Sequence, residues 1–187
     1  MEIVPWVIGG VVALVLLWLV GNYNHFVRLQ HHIRESWSGI DVELKRRYEL
    51  IPNLVATVKG YVRHEREVLE EVVALRNRAQ ASHGSPGSQA RDEADLLRGL
   101  KQLFVVTEAY PQLRSDQHFL GLQKELALTE DRIAAARRFY NANVRDMRQR
   151  CEMFPTALLA RFFGFSAPEF FELDSALERV VPRADLG

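Results

Sequence analysis

The residues most able to do chemistry in this chain are six histidines, one cysteine and a set of clustered charges. None falls into a catalytic spacing. His64-Glu65-Arg66-Glu67 starts like a zinc-helix motif, but HExxH needs a histidine at position 68, and Val68 stands there. His31 and His32 are adjacent, so on a helix they point to different sides, and His25 lies six positions earlier, off that face too. No glycine-rich phosphate loop is present, and no Ser or Cys occupies a nucleophile elbow. Cys151 stands alone, so no internal disulfide forms, and a small apolar residue on a helix is its ordinary role. The expectation is therefore a protein that is not an enzyme, with no cofactor and no metal.

The polar residues that stand out are Asp41, Lys45, Arg46, Arg47, Lys59, His64 and Glu65, which flank Pro52. Asp41 and Lys45 are four apart, in the favourable order for an ion pair on a helix. Two readings apply to the group. These side chains hold neighbouring helices together through charge-assisted hydrogen bonds, or they form a docking surface for a partner. Lipid contact is disfavoured, because an upright helix places Lys45-Arg46-Arg47 roughly 40 Å from the bilayer, several Debye lengths away.

The elements that position these residues read as helical throughout. Ile3 to Val20 carries no charge and spans roughly 27 Å as a helix, about the thickness of a hydrocarbon core. Trp6, Trp18 and Tyr23 sit near its ends, where amphipathic aromatics meet a membrane interface. A cleavable leader would need a basic start and a small-residue cleavage site, but only Glu2 precedes the run and Leu17-Trp18-Leu19-Val20 is bulky. A retained transmembrane helix over residues 3–21 is expected, with membrane lipid as its partner. Arg28, Arg34 and Lys45-Arg46-Arg47 follow it and no Lys or Arg precedes it. The positive-inside rule then places the N-terminus outside and the rest in the cytoplasm.

After the anchor, steps of three and four recur. Phe26, Leu29, Ile33, Trp37, Ile40 and Leu44 form one stripe. Leu54, Val58, Tyr61, Val68, Val72, Leu75 and Ala79 form a second, and Leu96, Leu97, Leu100, Phe104 and Thr107 a third. The longest runs Phe119, Leu122, Leu126, Thr129, Ile133, Ala136, Tyr140, Val144, Met147, Cys151 and Phe154. Pro52 is expected to kink or restart a helix, and a continuous helix through it, giving three helices, is the alternative. Residues 82–88 (SHGSPGS) read as a surface loop, and Pro111 with Ser115 or Asp116 as a stop and a cap. The fold class expected is all-α: a transmembrane helix (3–21), an antiparallel four-helix bundle (22–153), a Phe-rich tail (154–181) and a disordered end (182–187).

Six of the ten phenylalanines lie between positions 154 and 171. Adjacent rings on a helix or strand do not share a face. Phe162, Phe163, Phe165, Phe170 and Phe171 are therefore expected to include at least one pair that meets another subunit or the membrane. Net charge is zero, with 24 basic and 24 acidic residues, which argues against nucleic acid as a partner.

Residues 37–65, WSGIDVELKRRYELIPNLVATVKGYVRHE, strongly resemble the hallmark segment of the LemA family. Ile40, Asp41, Leu44 to Arg47, Leu50 to Leu54, Val58 to Tyr61, His64 and Glu65 match it, as do Glu108 to Pro111, Phe119, Leu122, Glu125-Leu126, Glu130, Ile133, Ala136-Arg137, Tyr140-Asn141, Val144 and Phe154-Pro155. Arg148, His118 and Thr156-Ala157 depart from it. The resemblance implies a helical bundle anchored in the bacterial inner membrane, with its short N-terminus outside the cell. A magnetosome-membrane protein in the family implies membrane-organising work rather than chemistry. The expected function is a non-enzymatic scaffold or adaptor, a homo-oligomer or organiser of an unidentified membrane protein. The alternative is a regulatory subunit of a membrane protease or transporter.

Overall fold

The computed structural model describes residues 3–62, 64–82 and 84–173. The expected disordered end, 182–187, and the last part of the tail lie outside them. Among the described residues there are six helices and no strand: α1 (Ile3–Lys59), α2 (Arg66–Ala81), α3 (Pro86–Thr107), α4 (Pro111–Arg114), α5 (Gln117–Glu152) and α6 (Thr156–Phe163).

The spine is α1, a single helix of 57 residues, about 85 Å long at the helical rise. It contains Pro52 without a break. The proline removes the donor that would have bonded the carbonyl of Tyr48, four residues back. That freed oxygen accepts the Nε–H of Arg76 from α2 at 3.0 Å. The restart expected at Pro52 is thus replaced by an interhelix hydrogen bond, and Leu54 and Val58 belong to α1, not to the helix carrying Val68 and Val72. The chain reverses after Lys59 instead. Gly60, Tyr61 and Val62 close the turn by donating their N–H groups to Thr57 and Val58 carbonyls.

Two more boundaries differ from expectation. Only residues 82–85 separate α2 from α3, because Ser85 caps α3 by accepting the Ser88 N–H at 3.3 Å and Pro86 occupies its first turn. At the other end, α5 stops at Glu152, so Phe154 leaves its stripe and is 81% exposed. Asp116 caps α5, accepting the Phe119 N–H at 2.8 Å.

Far from residue 20, the second half of α1, α2, α3 and α5 form an antiparallel four-helix bundle. The direction follows from the pairs: Arg46 with Glu125 and Ser36 with Asn143 run oppositely along α1 and α5, and Arg78 with Asp92 and Leu75 with Gly99 do so along α2 and α3. Gly99 lets those two approach, since a Cβ there would lie 2.7 Å from Leu75 Cδ1. Nearer residue 20, α2 and α3 have ended. There α1 and α5 pair alone, and residues 164–173 return along them to complete the core. Phe26, Ile33, Ile40, Tyr140, Val144, Met147 and Phe171 are buried in that half.

Candidate functional site

Two places concentrate chemically distinctive residues. The first is inside the bundle. Arg47 falls on the buried face of α1, between Leu44 and Ile51 in the three-and-four spacing. A guanidinium there must find acids or destabilise the core. Its Nη1 donates to both oxygens of Glu130 on α5 at 2.9 Å, and its Nη2 pairs with Glu93 on α3. The side chains of Arg47 and Glu93 are 0% exposed. Tyr48 donates to the same Glu93 carboxylate. Gln89 donates to Glu93 at 2.7 Å and to the Ala79 carbonyl of α2 at 3.1 Å. One network therefore touches all four helices of the bundle.

Burial lowers the Arg47 pKa, but Glu130 and Glu93 together outweigh it and hold the guanidinium above its ordinary value. Burial first, then Glu93, raises the Tyr48 phenol, which stays a neutral donor. With the guanidinium fully enclosed, no substrate reaches it. Its contacts join α1, α3 and α5 at one height.

The other polar positions scatter. Asp41 and Lys45 pair with each other at 2.7 Å on an exposed face. Arg46 bridges to Glu125 at 2.9 Å, partly exposed. Pro52 and Lys59 are exposed. His64 is exposed, its backbone N–H bonding the Glu65 side chain at 3.0 Å. Glu65 also accepts the Tyr110 hydroxyl at 2.7 Å, and Tyr61 reaches Asp116 at 2.9 Å, so the two connections at this end are tied together. The tyrosine bond, then the His64 N–H, holds the Glu65 carboxyl below its usual range. Among the described residues no three His, Cys, Asp or Glu side chains converge as a metal site. Glu93, Gln89 and Tyr48 escaped the sequence reading. The available signal was Arg47 itself, a charge on an apolar stripe that requires a buried acid.

The second place is the foot of the bundle, where the phenylalanines divide. Phe171 is fully buried and meets Trp37 edge-on at 5.5 Å. Asn141 clamps its backbone both ways, donating to its carbonyl and accepting its N–H, each at 3.0 Å. Tyr140 donates to the Glu169 carbonyl at 3.0 Å, and burial pushes that phenol up to about 12. Glu169 accepts the Ser85 hydroxyl at 2.7 Å and the Gly87 N–H at 3.2 Å, fastening the segment to the α2–α3 turn. Phe170 lies under the Arg148 guanidinium at 4.4 Å. Phe165 stacks on Phe26 at 4.8 Å.

Phe163 and Phe162 do not follow. Phe163 touches Tyr23 at 5.0 Å yet is 49% exposed, and Phe162 is 82% exposed. With Leu158 and Leu159 they line an open apolar groove against Leu19, Val20 and Tyr23 of α1. The 18-residue apolar window of α1 has none of its residues buried and is long and apolar enough to cross a membrane.

A model of the LemA family matches residues 36–185. The chain belongs to the LemA family. It is 26% identical to Protein LemA of Metamycoplasma hominis, over 86% of this chain and 73% of that one. It is also 26% identical to Magnetosome protein MamQ 2 of Paramagnetospirillum magneticum, over 82% of this chain and 66% of that protein. Magnetosome protein MamQ of Magnetospirillum gryphiswaldense is 24% identical, over 82% of this chain and 65% of its own length. The chain thus spans about two thirds of these magnetosome proteins. The match starts at the buried face of α1 and takes in Arg47, Glu93, Glu130 and Asn141, so this LemA family chain carries the central network and the tail clamp within the matched region.

Proposed function

We propose that this protein is a non-enzymatic scaffold, anchored in the bacterial inner membrane through residues 3–21, that self-associates and organises other membrane proteins. The observation that carries the reading is the continuity of α1. One helix supplies both the unburied apolar window and the spine of the bundle. A bundle built on its own anchor cannot tilt independently of it, so its outer surfaces stand at a fixed height above the lipid. That geometry suits presentation of a surface, and the charge network of Arg47 and Glu93 is closed to solvent.

Arg28 and Arg34 follow the anchor and no Lys or Arg precedes it, which favours a cytoplasmic bundle and an external N-terminus. Residues 22–153 act as the presenting bundle and the segment from 154 as its brace and foot.

Mild solubilisation from the native membrane, followed by mass measurement of the purified particle, tests the reading. A homogeneous oligomer of this chain supports self-association. A stoichiometric foreign protease or transporter would replace it with a regulatory-subunit role, which the apolar, basic-rimmed groove of Val68, Arg98, Lys101, Val105 and Val106 at the outer end would serve. A phosphatase reporter fused after residue 187 and active outside the cytoplasm would reverse the orientation.

A further inference from the structure

We propose that α6 is a second membrane-contact element, a foot that lies in the lipid interface beside the anchor with Leu158 and Phe162 inserted among the acyl chains. The inference rests on the reading of residues 3–21 as a span, and asks what covers the apolar face that α6 leaves open. Leu158 is 60% and Phe162 82% exposed, on a helix of eight residues. They sit four apart, on one face. Fully exposed to water, each forfeits about 2 kcal/mol relative to burial.

Position identifies the occupant. The groove that α6 forms is walled on its other side by Leu19 and Val20, the last residues of the apolar run. The same segment sets Phe163 edge-on and Phe165 tilted against Tyr23, and stacks Phe165 on Phe26. Leu19 to Phe26 is roughly 10 Å of helix, a depth that matches the headgroup and upper acyl region of a bilayer. The exposed face of α6 is thus continuous with the exposed apolar surface of the anchor, at the level where that surface ends.

Charge agrees. Arg28 and Arg150 both act on His25, which is held below its usual pKa by burial first and by those two cations next. Arg161 is exposed on α6 itself. Arg28 is eight residues past Val20, roughly 12 Å, close to one Debye length from the lipid surface. The foot therefore carries an apolar wedge under a basic collar, the pattern of an interfacial helix on an anionic leaflet.

The test uses the full chain with Cys151→Ser, reconstituted in vesicles of phosphatidylcholine with or without phosphatidylglycerol. A nitroxide is placed at Val12→Cys, Leu158→Cys, Phe162→Cys or Arg138→Cys, all exposed positions. Relaxation by oxygen is compared with relaxation by a water-soluble nickel chelate. The expected result is an oxygen-to-nickel ratio at 158 and 162 several-fold above that at 138, close to that at 12, and higher again when phosphatidylglycerol is present. A ratio at 162 equal to that at 138, with 12 still lipid-exposed, overturns the foot and leaves the anchor standing. A watery signal at 12 removes the anchor and the foot together. Protection at 162 from both reagents, with spin–spin broadening that disappears on dilution with unlabelled protein, overturns the foot in favour of a second copy of this chain. Indifference to phosphatidylglycerol overturns the role of the basic collar.

Discussion

At the scale of single residues, buried polar groups do the deciding. Arg47 and Glu93 are enclosed; Glu93 relies on Arg47 for its charge to be tolerated, and Arg47 on Glu130 and Glu93. Arg47→Met is expected to destabilise the bundle by about 3–5 kcal/mol, because it strands Glu93 in the core. Adding Glu93→Leu to Arg47→Met should recover much of that loss, and thermal unfolding in detergent measures both. No recovery in the double variant would show that the network is more than a set of mutually neutralising charges. Pro52 supplies a second residue-scale case. Its missing donor leaves the Tyr48 carbonyl to Arg76. Arg76→Gln is expected to cost about 1–2 kcal/mol beside Pro52, where the carbonyl is left unpaired. In a Pro52→Ala background the new N–H can take that carbonyl, and the cost should fall by at least half. Equal costs in the two backgrounds would dissociate the proline from the guanidinium.

At the scale of elements, the segment after α6 is the third wall of a two-helix pair. Without it, Phe26, Trp37 and Tyr140 would face solvent along α1 and α5. Phe171→Ala removes a fully buried ring and is expected to cost about 3–5 kcal/mol. Asn141→Ala breaks both backbone bonds of the clamp, for about 1–3 kcal/mol. Phe162→Ala, on an 82% exposed ring, should leave the melting temperature in detergent within error. Equal destabilisation by Phe162→Ala and Phe171→Ala would mean that α6 is held by the bundle instead of being open to its surroundings. That adjacent rings point apart was readable from the sequence, but the outcome differs between pairs: Phe171 is buried beside a half-buried Phe170, while Phe162 and Phe163 are both exposed. Which pair is covered was not readable, because Trp37 lies 134 residues from Phe171 in the chain and only the return of α5 brings them together.

At the scale of the whole molecule, α1 makes the apolar run and the bundle one body. Nitroxides at Val12→Cys and Lys59→Cys, with Cys151→Ser, are 47 residues apart on one helix, about 70 Å at the helical rise. Dipolar spectroscopy should give a single narrow distance near that value. A broad or markedly shorter distribution would indicate a hinge, with Pro52 the first suspect, and would remove the fixed height on which the scaffold reading depends.

The sequence by itself determined the all-α class, the apolar run long enough to span a bilayer, the long stripe of α5 with a cap at Ser115 or Asp116, and the family. Each of these is set by local spacing or by a contiguous motif. The three-and-four period exists within a few turns, a cap acts on the next three residues, and an uncharged run needs no partner to be recognised. Only the tertiary structure decided that the helix continues through Pro52, because the acceptor's new partner, Arg76, comes from a different helix. It also decided that Arg47 is buried at the meeting point of four helices, that Glu93 and Glu130 are its counter-ions, and that Phe171 is core while Phe162 is surface. Those outcomes depend on which distant segments arrive at the same height. That height is fixed by where α1 reverses, at Gly60, and by how far α5 runs back toward residue 20.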